Sequence, residues 1–166
     1  MILFSDEAGV TLDAKLGVVW GIKGQQPVVS SSSPFGTVNL IGFVNPVEGS
    51  ITVNKIRKGD SDNFIEQLKM VKNRNRRYKR ITVYVDNARW HKSKKVKEWL
   101  KFNKRIRLRF LPKYAPELNP MERHWWYLRK KKTKNQVFDS YEECWENINE
   151  HFKYLNKEQI IRLCQI

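Results

Sequence analysis

The 166-residue chain predicts an α/β fold, a mixed sheet with helices packed on its faces. Two observations carry that expectation. Up to Ile56 the sequence reads as short apolar strands joined by short connections, as in an antiparallel meander. From Ser61 onward the apolar period lengthens, strands alternate with helices, and the chain closes on helices. The length suits one domain with a real core, with no second-domain boundary or long linker in view.

Each element has its own signal. "MILFSD" is a buried strand ending at Asp6, and "GVVWGIKG" (Gly17 to Gly24) is a second strand bounded by glycines. "QQPVVSSSSPFG" is a Pro/Ser-rich loop, with Val28 and Val29 as an optional edge segment. "TVNLIGFV" (Thr37 to Val44) and "GSITVNKI" (Gly49 to Ile56) are further strands, separated by a turn at Asn45-Pro46. Phe64, Leu68 and Val71 stand at helical spacing behind a cap at Ser61 or Asp62. "RITVYVD" is the next strand, followed by a helix whose apolar stripe is Val96, Trp99 and Leu100. "RIRLRFLP" alternates bases with Ile106, Leu108 and Phe110, so it is half-buried or an edge. Asn119 and Pro120 are N-cap and first residue of a helix with the stripe Met121, Trp125 and Leu128. Ser140 and Glu143 open another helix as a capping box, and a last helical turn or two falls within Asn156 to Cys164.

Charge is regional. The chain carries a net +15, yet from Lys72 to Lys134 there are 23 Lys and Arg against four acids, while the remainder has 9 bases and 13 acids. A basic face this concentrated fits a polyanion, most simply nucleic acid; a solvated basic surface is the plain alternative. The sequence has no GxxxxGK[ST] loop for an ATP-driven motor and no GxSxG nucleophile elbow. No apolar run approaches the ~20 residues of a membrane span, and "MILFSDEAGV" lacks a signal peptide's flank and length. Cys144 and Cys164 lack CxxC spacing and read as reduced thiols of a cytosolic protein. His91, His124 and His151 form no HxxxH pair, which argues against zinc.

Three acids occupy suggestive places. Asp6 and Asp86 are expected at the carboxyl ends of strands, where such sheets place ligands. Glu122 lies in the first turn of the helix after "YAPELNP". Carboxylates that converge repel unless a cation joins them, and hard oxygen donors with open positions suit Mg²⁺ or Mn²⁺. Two such ions could serve phosphoryl transfer, with the surrounding bases on the phosphate backbone. Each acid also has an ordinary explanation. Asp6 could be a turn residue, Asp86-Asn87 a loop opening, and Glu122 the third residue of a capping box begun by Asn119. His91 could touch phosphate, orient a water, or simply be a surface histidine. Trp126 shares a side with Glu122 and Arg129, so it could line a DNA groove or pack; "RKKKTK" (Arg129 to Lys134) is a phosphate contact or a solvated helix end.

"DEAG", "VYVDNARWHKS" and "LPKYAPELNPMERHWWYLRKK", in that order, resemble the catalytic core of mariner-like superfamily transposases, in particular their bacterial and archaeal insertion-sequence branch. The last motif is the most specific, and 35 residues separate Asp86 from Glu122, close to the family interval. The resemblance runs from Met1 to about Phe152. It implies a ribonuclease H-like fold: a mixed five-stranded sheet with helices on both faces. Asp6, Asp86 and Glu122 then form the catalytic, metal-binding triad, with two Mg²⁺ ions for which Mn²⁺ can substitute. The implied chemistry is hydrolysis at transposon ends and strand transfer into target DNA at TA dinucleotides, in the cytoplasm of a prokaryotic cell, at the nucleoid when DNA-bound. DNA contacts are expected from Asn87, Arg89, His91, Lys92, Lys113, Arg123, Trp126, Arg129 and Lys130. Relatives usually carry N-terminal helix-turn-helix domains; here the first catalytic strand begins at residue 2, so the expectation is a single catalytic domain over 1–166 without them. Pairing of two DNA ends implies a homodimer. Another nuclease of the same fold, such as a junction resolvase, or a non-catalytic DNA-binding remnant, would share most of these features.

Overall fold

A computed structural model describes residues 1–13, 23–24 and 36–165. Five strands, β1 (Ile2–Thr11), β2 (Thr37–Asn45), β3 (Ser50–Ile56), β4 (Ile81–Val85) and β5 (Ile106–Phe110), form one sheet in the order β3-β2-β1-β4-β5. β1 pairs antiparallel with β2, and β2 with β3; β4 runs parallel to β1 and β5 parallel to β4. The helices are α1 (Ser61–Arg74), α2 (Lys94–Phe102), α3 (Pro120–Leu128), α4 (Tyr141–Lys153) and α5 (Lys157–Cys164). The predicted strand over 17–24 and the segment at Val28 and Val29 lie outside the described residues, apart from a turn at Lys23 and Gly24.

Two hydrophobic layers hold the helices to the sheet. On one face Leu3, Ile41, Phe43 and Val83 pack with Phe64 and Leu68 of α1 and Val96 of α2. On the other, Val10, Leu40 and Val44 pack with Met121, Trp125 and Leu128 of α3, Ile148 of α4 and Ile160 of α5. The period of two along each strand assigns alternate residues to the two layers. Gly42 fits this scheme because it has no side chain: a Cβ there would stand 2.2 Å from Met121 Cε and 2.9 Å from Trp125 Cζ2. The missing atom lets α3 lie directly on β2.

Several predicted details shift. β1 does not end at Asp6 but continues to Thr11, held by β2 through the register Asp6↔Gly42 to Thr11↔Thr37. The strand outlasts its acids because Ala8 and Val10 keep the apolar alternation on the α3 face. The cap of α1 is Asp60, whose carboxylate accepts the Asn63 N–H at 2.9 Å, not Ser61 or Asp62. At α4 the Ser140 hydroxyl caps as expected, but the Glu143 carboxylate accepts from the Asp139 N–H, one residue before the box position. Asn119 and Pro120 open α3 as read, and a π-helical turn, Arg129–Thr133, extends it.

Candidate active site

The parallel pairing of β1 with β4 runs from Ile2↔Thr82 to Phe4↔Tyr84 and then stops. Beyond it β1 stays with β2, while the chain leaves β4 after Val85. Asp6 lies two residues past the last pair on one strand and Asp86 two past it on the other, so the acids flank the opening. Asp6 is therefore at the end of a pairing rather than the end of a strand. A cavity of about 370 Å³ fills the opening, lined by Asp6, Asp86, Asn119, Glu122, Lys113 and Tyr114 among others.

Each aspartate uses one oxygen on the protein. Asp6 Oδ2 accepts the Trp125 Nε1–H at 3.0 Å. Asp86 Oδ1 accepts the Ala88 N–H at 2.9 Å and lies 2.9 Å from His91 Nδ1, an ion pair by distance with the N–H off line. Glu122 is not a capping residue. The Asn119 N–H that a capping box would offer it is bonded to the Pro116 carbonyl at 2.9 Å, and the Asn119 side chain accepts from Met121. A 3₁₀ turn, Pro116–Leu118, takes the carboxylate's place and leaves it to the cavity.

The electrostatics follow from this crowding. Burial, reinforced by the charges of Glu122, Glu7 and Asp86, pushes the Asp6 carboxyl from 3.8 up to about 8, against the lowering effect of the Trp125 N–H. Asp86 goes the other way: contact with His91 outweighs burial, and the Ala88 N–H and Lys92 add to it, so it stays below the usual range. His91 rises to about 9, because the Asp86 and Glu7 carboxylates outweigh a burial that alone would lower it.

The predicted DNA contacts divide. Arg89, Lys92, Lys113, Arg129 and Lys130 are exposed. Lys92 lies over the Phe110 ring at 5.0 Å, and Lys130 over the Trp126 ring at 4.9 Å. Trp126 is 57% exposed, unlike its buried neighbour Trp125. Arg129 borders a shallow hollow with Gly9, Val10 and Thr11, and Arg123 donates to the Gln165 carbonyl. Asn87 is tied to the protein: its amide donates to the Leu111 carbonyl at 2.6 Å and accepts from Lys92. His91 is not a surface residue; it is 2% exposed, with its ring nitrogens beside Glu7 and Asp86.

Sequence reasoning missed Glu7 and the polar role of Trp125. Among the described residues, the metal-ligating groups whose atoms all lie within 4.8 Å of one another are Glu7, Asp86 and His91. The signal was present in "DE": adjacent strand residues face opposite ways, so Glu7 had to leave the side that Asp6 occupies.

The mixed five-stranded sheet with helices on both faces is of the α/β class expected from the sequence, and its cavity is lined by three acids. Residues 1–145 match the family described as DDE superfamily endonuclease. The 39 kDa protein of insertion element IS630 from Shigella sonnei is 33% identical over 139 residues, which is 84% of this chain and 40% of that protein. Among solved structures, the Mos1 transposase paired-end complex with left transposon end aligns with TM-score 0.76 at 22% identity, covering 98% of this chain and 51% of that one. The catalytic domain of Mos1 mariner transposase aligns with TM-score 0.70 at 19% identity, with 98% and 74% covered. The chain belongs to the DDE superfamily endonuclease family, and it spans about two-fifths of the length of the insertion-element relative. Among the described residues no helix is long and apolar enough to cross a membrane.

Proposed function

We propose that this domain cleaves DNA at transposon ends and joins the freed 3′ end to target DNA, using divalent metal held by Asp6, Asp86 and Glu122. The observation that carries the reading is the donor set. Two aspartates keep one oxygen each for the protein, the other oxygen has no hydrogen-bond partner among the described residues, and Glu122 joins them on the same cavity. Three hard oxygen donors, one of them a carboxyl pushed up to about 8 by burial and by the charges of its acidic neighbours, fit Mg²⁺ or Mn²⁺. Asp6, Asp86 and Glu122 would hold divalent ions, two in the full arrangement, which would supply polarisation of the scissile phosphate and a more acidic attacking hydroxyl.

The chain's own residues do the rest. Trp125 orients Asp6, the Ala88 N–H and His91 orient Asp86, and the turn before α3 directs Glu122 inward. Lys113 and Tyr114 border the cavity, and Lys92, Trp126 and Lys130 offer charge and ring faces to a nucleic acid backbone and its bases. The family match supports the reading. So do Mos1 structures described as a strand transfer complex and as paired-end complexes with Mn and with Mg. Recognition of the ends, a TA target, a paired homodimer and action at the prokaryotic nucleoid complete the proposal.

The test is a cleavage and strand-transfer assay on duplex DNA carrying the transposon ends, with Mg²⁺ or Mn²⁺. Asp86→Asn should abolish both steps and retain DNA binding; cleavage retained in that variant overturns the assignment. Cleavage without joining would instead indicate a resolvase-like nuclease. Salt-sensitive binding with no cleavage would indicate a DNA-binding remnant.

A further inference from the structure

We propose that Glu7, acting through the buried ring of His91, is a positioning residue for Asp86. The inference rests on the metal-binding role proposed for Asp86. Its basis is a division of labour between the faces of β1. Phe4, Ala8 and Val10 lie on the α3 face, and Asp6 shares their alternation, meeting Trp125 there. Glu7 points to the opposite face, toward His91 in the turn before α2, and does not itself line the cavity. The carboxylate next in sequence to Asp6 therefore serves the site from behind.

The connection is continuous. Glu7 Oε1 lies 3.0 Å from His91 Nε2, and His91 Nδ1 lies 2.9 Å from Asp86 Oδ1. The ring is 2% exposed and is fixed by packing: its centroid lies 4.3 Å from that of Phe64 and 5.7 Å from that of Trp90. Trp90 Nε1–H points between the two partners, 3.1 Å from His91 Nε2 and 3.4 Å from Glu7 Oε1, and so holds the far end of the chain as well. Glu7, Asp86 and His91 could be taken for a metal site, since their ligand atoms cluster within 4.8 Å. The geometry points elsewhere. Each ring nitrogen lies within 3.0 Å of one carboxylate oxygen, and the ring between them is 2% exposed, so it stands as a buried bridge between two acids. The ring joins two acids that would otherwise repel, and it holds Asp86 Oδ1 so that the second oxygen stays turned to the cavity. Partners one step behind the ligands act in this way on metal affinity, by ~10–100-fold when removed.

The test measures the Mn²⁺ dissociation constant by calorimetry, the thermal midpoint, and the Mn²⁺ dependence of DNA cleavage, in wild type, Glu7→Ala and His91→Phe. His91→Phe keeps a ring against Phe64 and removes both N–H groups. Both variants should bind Mn²⁺ at least ~10-fold more weakly. The Mn²⁺ concentration for half-maximal cleavage should rise in step, and kcat at saturating Mn²⁺ should recover to near wild type. A merely structural residue would lower the midpoint and leave the dissociation constant where it was; that result overturns the proposal. If Glu7→Ala does not fold, His91→Phe decides by the same criterion. A wild type that neither binds Mn²⁺ nor cleaves DNA overturns the function itself, and this inference with it.

Discussion

Replacing Asp6 by asparagine should stabilise the metal-free protein, and more so as the pH rises. Asp6 titrates at 3.8 in the unfolded chain and at about 8 in the fold. Between those values the folded protein holds a proton that the unfolded chain has released, so stability falls as pH rises. At about 1.4 kcal/mol for each tenfold in proton affinity, the loss is about 4 kcal/mol by pH 7 and about 6 kcal/mol above pH 8. The substituted amide has nearly the same shape, still accepts the Trp125 N–H, and never ionises. Wild type and Asp6→Asn should therefore be close in stability near pH 4 and diverge steadily to pH 8, with the variant the more stable. His91 adds a slope of the same sign. Its raised pKa contributes stability that is complete below 6.5 and lost as pH rises through about 9. That contribution is common to both proteins and largely cancels in the difference. Urea unfolding at intervals from pH 4 to 9, in chelator, measures it. Parallel curves, or a variant less stable than wild type at pH 8, would refute the claim that uncompensated carboxylates crowd this cavity. Adding Mn²⁺ should raise the wild-type curve more than that of the variant, since the variant has lost a ligand.

Other outcomes follow from single contacts. Gly42→Val drives a side chain into Met121 and Trp125; an overpacking cost of at least ~1–3 kcal/mol should appear as a lower urea midpoint. Trp125→Phe keeps the ring against the sheet but removes the N–H that Asp6 accepts; the Asp6 carboxyl should then titrate still higher, which carboxyl-carbon NMR can follow. Tyr114 has φ of +58° and is 98% exposed, so Tyr114→Gly should gain ~1–3 kcal/mol in chemical denaturation, and a loss would show that the ring is held by contacts outside this account. Trp126→Ala, at an exposed site, should leave the thermal midpoint nearly unchanged and weaken DNA binding in a salt titration.

Much of this architecture was legible because local rules and tertiary packing agree. Asn119-Pro120 opens α3 by cap chemistry alone, and Met121, Trp125 and Leu128 at helical spacing are all buried. The acids were readable as a set because their motifs fall in order. What escaped was decided across the sheet. An Asp-Glu pair is disfavoured within a strand, so β1 read as ending at Asp6, yet pairing with β2 carries it to Thr11. The Glu122 capping box was refuted by a bond from the Asn119 N–H to Pro116, which depends on how the preceding turn folds. His91 is polar and sits in a basic stretch, so its burial could not be read without knowing that Glu7 and Asp86 meet there.

The strand order has a consequence for how the domain comes into being. β1, β2 and β3 are neighbours in sequence and in space, so half the sheet can form early. The pairing of Ile2 with Thr82 must close a loop of some eighty residues, a slow and entropically costly step. At ~5–20 residues per second, synthesis separates the emergence of Asp6 from that of Asp86 by roughly 4–16 s, and Glu122 comes later still. Throughout that interval the nascent chain has acids but no place where they meet, so the acid-lined cavity is completed only when the domain is nearly whole.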